Sequence, residues 1–290
     1  MRRIGFIGTE NSHTDHFLRF LNSEQRHPGF RAVALAGGST ARNETLRAQG
    51  GIEQLVDDAA DLVQLVDAAI ISTRDGARHR EQAEPLLAAG LPVLVDKPFA
   101  TTVDDAVAML DAAEKTSAVL VSCSALRFVP QLPDLVDEAG RGALRQLSIV
   151  GPGDPDSEYS GLFFYGIHHV EAALEILGNP VVEPGSVAAS VTRDGDTTVA
   201  LLRIAGVAVV LTFVVPDDDH RVPFHATATG VDGVVARELT LDRDYNAPAL
   251  TRFVTAVETG RTQSGREQLL SPVVVMSAIV EALENRTERP

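Results

Sequence analysis

Residues 91–99, Leu91-Pro92-Val93-Leu94-Val95-Asp96-Lys97-Pro98-Phe99, carry an apolar run straight into a charged corner. Aliphatic residues without polar alternation mark a strand covered on both faces, as in a parallel sheet. In such a sheet ligands sit beyond the carboxyl ends of the strands, so Lys97 is predicted to project where chemistry takes place. Pro98 has a fixed φ and no N–H, which ends the strand and stiffens the corner.

Upstream and downstream of this corner the chain alternates strand and helix patterns with short connections. Strands are predicted at Arg3–Gly8, Phe30–Ala36, Ala68–Ser72 and Val119–Ser124. Helices are predicted at Ser12–Asn22, Thr40–Gln49, Asp57–Leu65, Arg78–Ala89 and Val103–Lys115, with Ser12 and Asp15 forming a capping box. Strands separated by helices imply βαβ units and a doubly wound parallel α/β sheet. After about residue 126 the rhythm changes. A short helix at Pro133–Glu138, a strand at Leu147–Gly151, a surface loop to Ser160 and a helix at Gly166–Leu177 come first. The runs Ser186–Thr192, Thr198–Ile204, Val207–Val215, Phe224–Thr229 and Val234–Leu241 follow, several of them joined by Gly-containing turns that suit antiparallel hairpins. Two helices, Ala247–Thr259 and Ser271–Asn285, close the chain. The expected organisation is a parallel-sheet domain over 1–125 and an α+β domain with a mostly antiparallel sheet over 126–290.

Composition narrows the function classes. A formal charge of −15 argues against nucleic acid, because backbone phosphates require clustered Lys and Arg. The longest apolar runs are of strand length, too short to span a bilayer, and the N-terminus enters a strand directly, without a signal-peptide core. The single cysteine, Cys123, excludes an internal disulfide and suggests a reducing, cytoplasmic compartment. It lies in an apolar strand with nothing beside it to activate a thiolate.

Further motifs surround the lysine corner. Ser72-Thr73 end a strand, and His79 opens a helix. Ala125-Leu126-Arg127-Phe128-Val129-Pro130 follow the next strand, and Gly166-Ile167-His168-His169-Val170-Glu171 begin a later helix. This ordered set resembles the Gfo/Idh/MocA family, relatives of glucose–fructose oxidoreductase and inositol dehydrogenase. The resemblance implies a Rossmann-type domain followed by an α+β domain whose open sheet forms a homo-oligomer interface. It also implies NAD(P)-dependent oxidation or reduction of a sugar, cyclitol or similar small polyhydroxylated substrate. Carried onto this chain, it places Lys97 beside the nicotinamide and the reacting hydroxyl, on a Lys–Pro peptide that is often cis in the family. Arg127 approaches the nicotinamide or substrate, while Ser72, Thr73, His79 and Asp96 line the cofactor groove. His168 takes the acid/base position, suited to proton transfer near neutrality, and His169 and Glu171 stand on the substrate side. The family's usual Asp four residues before that histidine is Phe164 here, which leaves Tyr165 as a substitute proton donor.

The N-terminal turn departs from the G-x-G-x-x-G fingerprint, whose glycines allow a tight turn and close backbone approach to pyrophosphate. Gly8-Thr9-Glu10-Asn11-Ser12-His13 keeps only the first glycine. A carboxylate at Glu10 within about 4 Å of a phosphate charge would cost about 4 kcal/mol at an effective dielectric near 20. Gly8, Thr9, Asn11 and Ser12 are the cofactor candidates of this turn, the last two as side-chain donors or helix caps. After the second strand, Gly37-Gly38-Ser39-Thr40-Ala41-Arg42 lacks the acidic residue of NAD sites. Ser39 and Arg42 instead suit a 2′-phosphate, which favours NADP over NAD. His13 and His16, at a helix start, read as site-lining residues, and no metal site is assigned. Asp217-Asp218-Asp219-His220 reads as a solvated loop. Two other readings stay open: a family member that kept the fold as a binding or regulatory protein, and a non-redox lyase or epimerase.

Overall fold

Apolar runs buried on both faces form the first sheet, together with one strand that the pattern does not announce. In the computed structural model, which describes residues 1–140, 142, 144–217 and 221–287, six strands run parallel. These are β1 (Arg2–Ile7), β2 (Phe30–Ala36), β3 (Gln54–Val56), β4 (Ala68–Ile71), β5 (Val93–Val95) and β6 (Leu120–Val121). Their order is β3-β2-β1-β4-β5-β6. The order reverses between β1 and β4, the position at which doubly wound sheets take ligands. Every residue of β4 is fully buried, and β5 is at most 2% exposed, so both strands are covered on both faces. The unannounced β3 is a three-residue edge strand, too short for periodicity to reveal. The helix expected over Asp57–Leu65 is a 3₁₀ segment, Ala59–Gln64, opened by a capping box between Asp58 and Asp61.

The connecting helices are α1 (Ser12–Leu18), α2 (Thr40–Gly50), α3 (His79–Ala88) and α4 (Val103–Thr116). The predicted first helix is in fact α1 followed by a π-helical stretch, Arg19–Ser23. Asn11, rather than Ser12, caps α1, its side chain accepting from the His13 amide at 3.1 Å. With Asn11 as the cap, Ser12 becomes the first helical residue, so the predicted Ser12–Asp15 box does not form.

The second sheet forms around α5 (Gln131–Ala139), β7 (Leu144–Pro152) and α6 (Phe163–Ile176). Its other strands are β8 (Ser190–Asp194), β9 (Thr197–Ile204), β10 (Val207–Val214), β11 (Phe224–Gly230) and β12 (Val234–Leu239). The order is β12-β11-β7-β10-β9-β8, antiparallel throughout except for the β7–β10 pair. Strict alternation on β10 sends Val207, Val209, Leu211 and Phe213 inward and leaves Ala208, Val210, Thr212 and Val214 on the opposite face. Of the predicted acidic loop, Asp218, Asp219 and His220 lie outside the described residues.

The chain divides into two compact units. The first holds Met1–Ala100, Asp104–Cys123 and Asn246–Arg266; the second holds Thr101–Val103, Ser124–Tyr245 and the chain from Glu267. The expectation that everything after residue 126 belongs to the second domain is therefore corrected at α7 (Ala247–Thr259). Its Leu250, Phe253, Val254 and Ala256 join Ile4, Phe6, Phe17 and Phe20 in the core of the first unit. The final helix, α8 (Arg266–Thr287), returns to the second unit, where Ser271 Oγ accepts from the Val182 amide at 3.0 Å.

Candidate functional site

At the switch point of the first unit, the turn after β1 runs hard against the end of β4. Gly8 has φ +82°, and a Cβ there would fall 2.2 Å from the Thr73 amide nitrogen. Only glycine permits both the conformation and the approach. Side chains then pin the turn: Thr14 Oγ1 donates to Gly8 O at 3.1 Å and lies 2.8 Å from Ser72 Oγ. Glu10, the residue expected to repel phosphate, is exposed and accepts from the Arg74 amide at 3.3 Å.

The lysine corner has a partner that the sequence does not advertise. His13 Nδ1 lies 2.6 Å from Asp96 Oδ2, both side chains nearly buried. Burial alone raises the Asp96 pKa, but the His13 charge and hydrogen bond, with Lys97 beside it, outweigh burial and lower it to about 2. Asp96 is therefore an anion at all ordinary pH. His13, standing where the fingerprint has its third glycine, carries the end of β1 across to the end of β5. Lys97 is itself 4% exposed, and the Lys97–Pro98 peptide is cis. His79, expected to line the groove, is fully buried, its ring nitrogens 2.8 Å from Pro98 O and 2.9 Å from Thr73 O. Burial lowers its pKa, against the raising influence of those carbonyls and Asp96. Its two ring contacts join the loops after β4 and β5.

On the other flank of the switch point, the turns after β1 and β2 interlock. Thr9 Oγ1 donates to Asn43 Oδ1 at 2.6 Å, and Asn43 Nδ2 donates to Gly37 O at 2.6 Å. Ser39 caps α2, accepting from the Arg42 amide at 3.3 Å. The Arg42 guanidinium spans the gap: Nε donates to Thr9 O at 3.0 Å and Nη2 to the Asp15 carboxylate.

A second constellation lies wholly within the second unit. His168, 5% exposed, has Nδ1 2.6 Å from Ser124 Oγ. That hydroxyl also accepts from the Leu126 amide at 3.1 Å. A hydroxyl can donate to a bare Nδ1 or accept from a protonated one, so Ser124 can pair with the ring in either tautomer. Glu171 accepts from the Ser124 amide at 2.8 Å and from Arg127 Nε at 2.5 Å. Arg127 Nη1 donates to Glu175 at 2.9 Å and to Asn179 at 2.5 Å. Tyr165 is 38% exposed, its ring centroid 6.2 Å from that of His168.

Several expected ligand contacts are turned inward. Arg127 and Glu171, with side chains 9% and 5% exposed, are each other's partners, and their bonds hold the Ser124 segment to α6. His169 is completely buried, with ring centroids 4.7 Å from Phe213 and 5.3 Å from Phe224, so its ring packs on the second sheet. Neighbouring positions on a helix point about 100° apart, and His168 and His169 accordingly face different surroundings. Sequence reasoning did not anticipate the pairings of Ser124 with His168, Asp15 with Arg42 and His13 with Asp96. Ser124 stands just before the quoted Ala125–Pro130 motif, a strand-end position that could have suggested it.

Comparison with known proteins agrees with this geometry. Residues 2–123 match the family described as an oxidoreductase family with an NAD-binding Rossmann fold. D-apiose dehydrogenase of Paraburkholderia graminis is 29% identical over 252 residues, covering 80% of this chain and 66% of that protein. An NADP(+)-dependent scyllo-inositol 2-dehydrogenase of Bacillus subtilis is 26% identical over 222 residues, covering 69% of this chain and 66% of that one. The chain thus spans just under two thirds of the length of these relatives. Among solved structures, GenD2 from gentamicin A biosynthesis, in complex with NAD, superposes with a TM-score of 0.83 at 17% identity, over 98% of this chain and 95% of that one. Over residues 2–123 the chain thus matches the Gfo/Idh/MocA oxidoreductase family model, and over nearly its whole length it shares the fold of the solved structures.

Proposed function

We propose that the chain is an NAD(P)-dependent dehydrogenase or reductase acting on a hydroxyl or carbonyl of a sugar, cyclitol or similar small polyhydroxylated molecule. The observation that carries this reading is Lys97, buried on the Asp96 corner at the carboxyl end of β5. The first unit fits a dinucleotide in three respects: Gly8 leaves a turn that a Cβ would fill, Glu10 is drawn onto the Arg74 amide, and the switch point is formed. Gly8, Thr9, Asn11 and Ser12 are proposed to hold its pyrophosphate side, Ser39 and Arg42 its ribose with room for a 2′-phosphate, and Ser72, Thr73 and Lys97 its nicotinamide side. When bound, the nicotinamide supplies a hydride acceptor or donor. Lys97 polarises the reacting oxygen with its ammonium. In the second unit, His168 is proposed as a proton donor or acceptor at Nε2, with Ser124 on Nδ1 accommodating either protonation state. Tyr165, exposed on the same helix, is a further contact for substrate hydroxyls.

A second copy of the chain is proposed to cover the outer face of the second sheet, where Val199, Leu201, Val210 and Val214 sit among small polar residues; Leu201 is 50% exposed. Among the described residues no helix is long and apolar enough to cross a membrane. With one cysteine, a cytoplasmic setting is inferred. The test is titration with NADH and NADPH by nicotinamide fluorescence, followed by a turnover screen of sugars and cyclitols with wild type, Lys97→Ala and Ser124→Ala. Saturable micromolar binding and turnover lost in Lys97→Ala are expected. Ser124→Ala is expected to lower kcat about tenfold while leaving dinucleotide affinity unchanged. No binding of either dinucleotide up to millimolar concentration would overturn the assignment.

A further inference from the structure

The end of β2 offers no carboxylate to a ribose, yet a carboxylate stands close by on a different element. Asp15, in the first turn of α1, receives Arg42 Nη2 from the first turn of α2. Arg42 Nε is simultaneously on Thr9 O, in the turn after β1. The two turns are in close contact, since a Cβ on Gly38 would fall 2.1 Å from Thr9 Oγ1. The guanidinium therefore lies across the gap between the ends of β1 and β2, where doubly wound sheets receive the adenosine ribose. It arrives there neutralised. The pair is 29% and 39% exposed, open enough for an incoming ligand to compete.

We propose that Asp15 sets the discrimination between dinucleotides with and without a 2′-phosphate, by holding Arg42 and cancelling its charge where that phosphate would arrive. The inference rests on the dinucleotide reading above. A fork-shaped guanidinium is a strong bidentate partner for phosphate. Here the phosphate must displace or share Asp15 and face its negative charge, so the wild type accepts both dinucleotides with little preference. Asp15→Asn keeps the shape and an oxygen acceptor for Nη2, and removes the charge.

Equilibrium titration of wild type, Asp15→Asn and Arg42→Ala with NADH and NADPH tests the proposal, with ADP and adenosine 2′,5′-bisphosphate as probes that need no nicotinamide contact. In Asp15→Asn the ratio of NADPH to NADH affinity is expected to rise roughly tenfold, about one charge–charge contact, and the bisphosphate-to-ADP ratio with it. In Arg42→Ala both ratios are expected to fall below those of the wild type. Saturable binding with unchanged ratios in all three proteins overturns the role of Asp15 and leaves the dinucleotide reading standing. Absence of binding to any of the four ligands by any of the three proteins overturns both.

Discussion

Acid should weaken the second unit through His169, and by a calculable amount. Its imidazole is fully buried against Phe213 and Phe224, and neither ring nitrogen has a hydrogen-bond partner among the described residues. Burial lowers its pKa from 6.5 to about 4, while backbone groups of Gly151, Tyr165, Thr212 and Gly166 raise it and offset only part. The folded state therefore keeps His169 neutral at pH values where the unfolded chain binds a proton. The associated stability is fully present above pH 6.5 and is lost as pH falls toward 4. Between those two values the loss totals about 3 kcal/mol at about 1.4 kcal/mol per pH unit, and about 2 kcal/mol of it falls between about pH 7 and pH 5. The chain has no tryptophan and three tyrosines, Tyr159, Tyr165 and Tyr245, all in the second unit, so tyrosine fluorescence reports on that unit alone. Urea unfolding of wild type and His169→Leu at both pH values isolates the effect, because every other titrating group is common to the two proteins. The wild type should lose about 2 kcal/mol more than the variant on acidification. At neutral pH the variant should be at least as stable, since leucine removes unpaired polar atoms at similar volume. Parallel pH dependences would refute the buried neutral imidazole.

Other perturbations test the remaining contacts. Glu171→Gln leaves Arg127 with Glu175 as its remaining anionic partner and should cost the second unit about 2–3 kcal/mol by urea unfolding; a loss within error would show that the buried pair contributes little. Gly8→Ala places a methyl 2.2 Å from the Thr73 nitrogen at φ +82° and should destabilise the first unit by more than about 2 kcal/mol in circular-dichroism melts. Gly29→Ala, at φ +92° with nothing within 4 Å, measures the conformational part alone and should cost less. His13→Gln removes a positive neighbour from Asp96, whose depressed pKa contributes stability above about pH 4 that is lost as pH falls toward about 2. Acid unfolding of the variant, followed by circular dichroism, should therefore begin at higher pH than in the wild type; an unchanged midpoint would assign the depression to Lys97.

How far the site could be read in advance differs from residue to residue. Lys97 was legible because an unalternating apolar run must be a doubly covered strand, and the residue after such a strand stands at its ligand-binding end. His168 was legible only through the family resemblance, since a histidine near a helix start is equally a structural residue. Its hydroxyl partner, Ser124, is 44 positions away, and no local pattern links them. Arg127 and Glu171 stood as ligand contacts through the family resemblance, yet they face each other across the same distance in sequence. The eroded turn read as an obstacle because of Glu10 and His13; in space Glu10 caps an amide of the next crossover, and His13 reaches Asp96, 83 residues on.

By itself the sequence determined what burial and backbone chemistry dictate locally: the parallel sheet, the later hairpins, the breaks at glycine and proline, and the position of the lysine corner. These follow from periodicities of two and 3.6 residues and from missing N–H groups, all expressed within a few positions. Only the tertiary structure decided partners and membership. It joined α7 to the first unit, because Leu250 and Phe253 complete a core begun by Phe6 and Phe17. It also paired Arg42 with Asp15 and His13 with Asp96. The reason is physical: a charged side chain satisfies itself with whichever opposite group folding brings within about 3 Å, and that distance is set by strand order rather than by spacing along the chain.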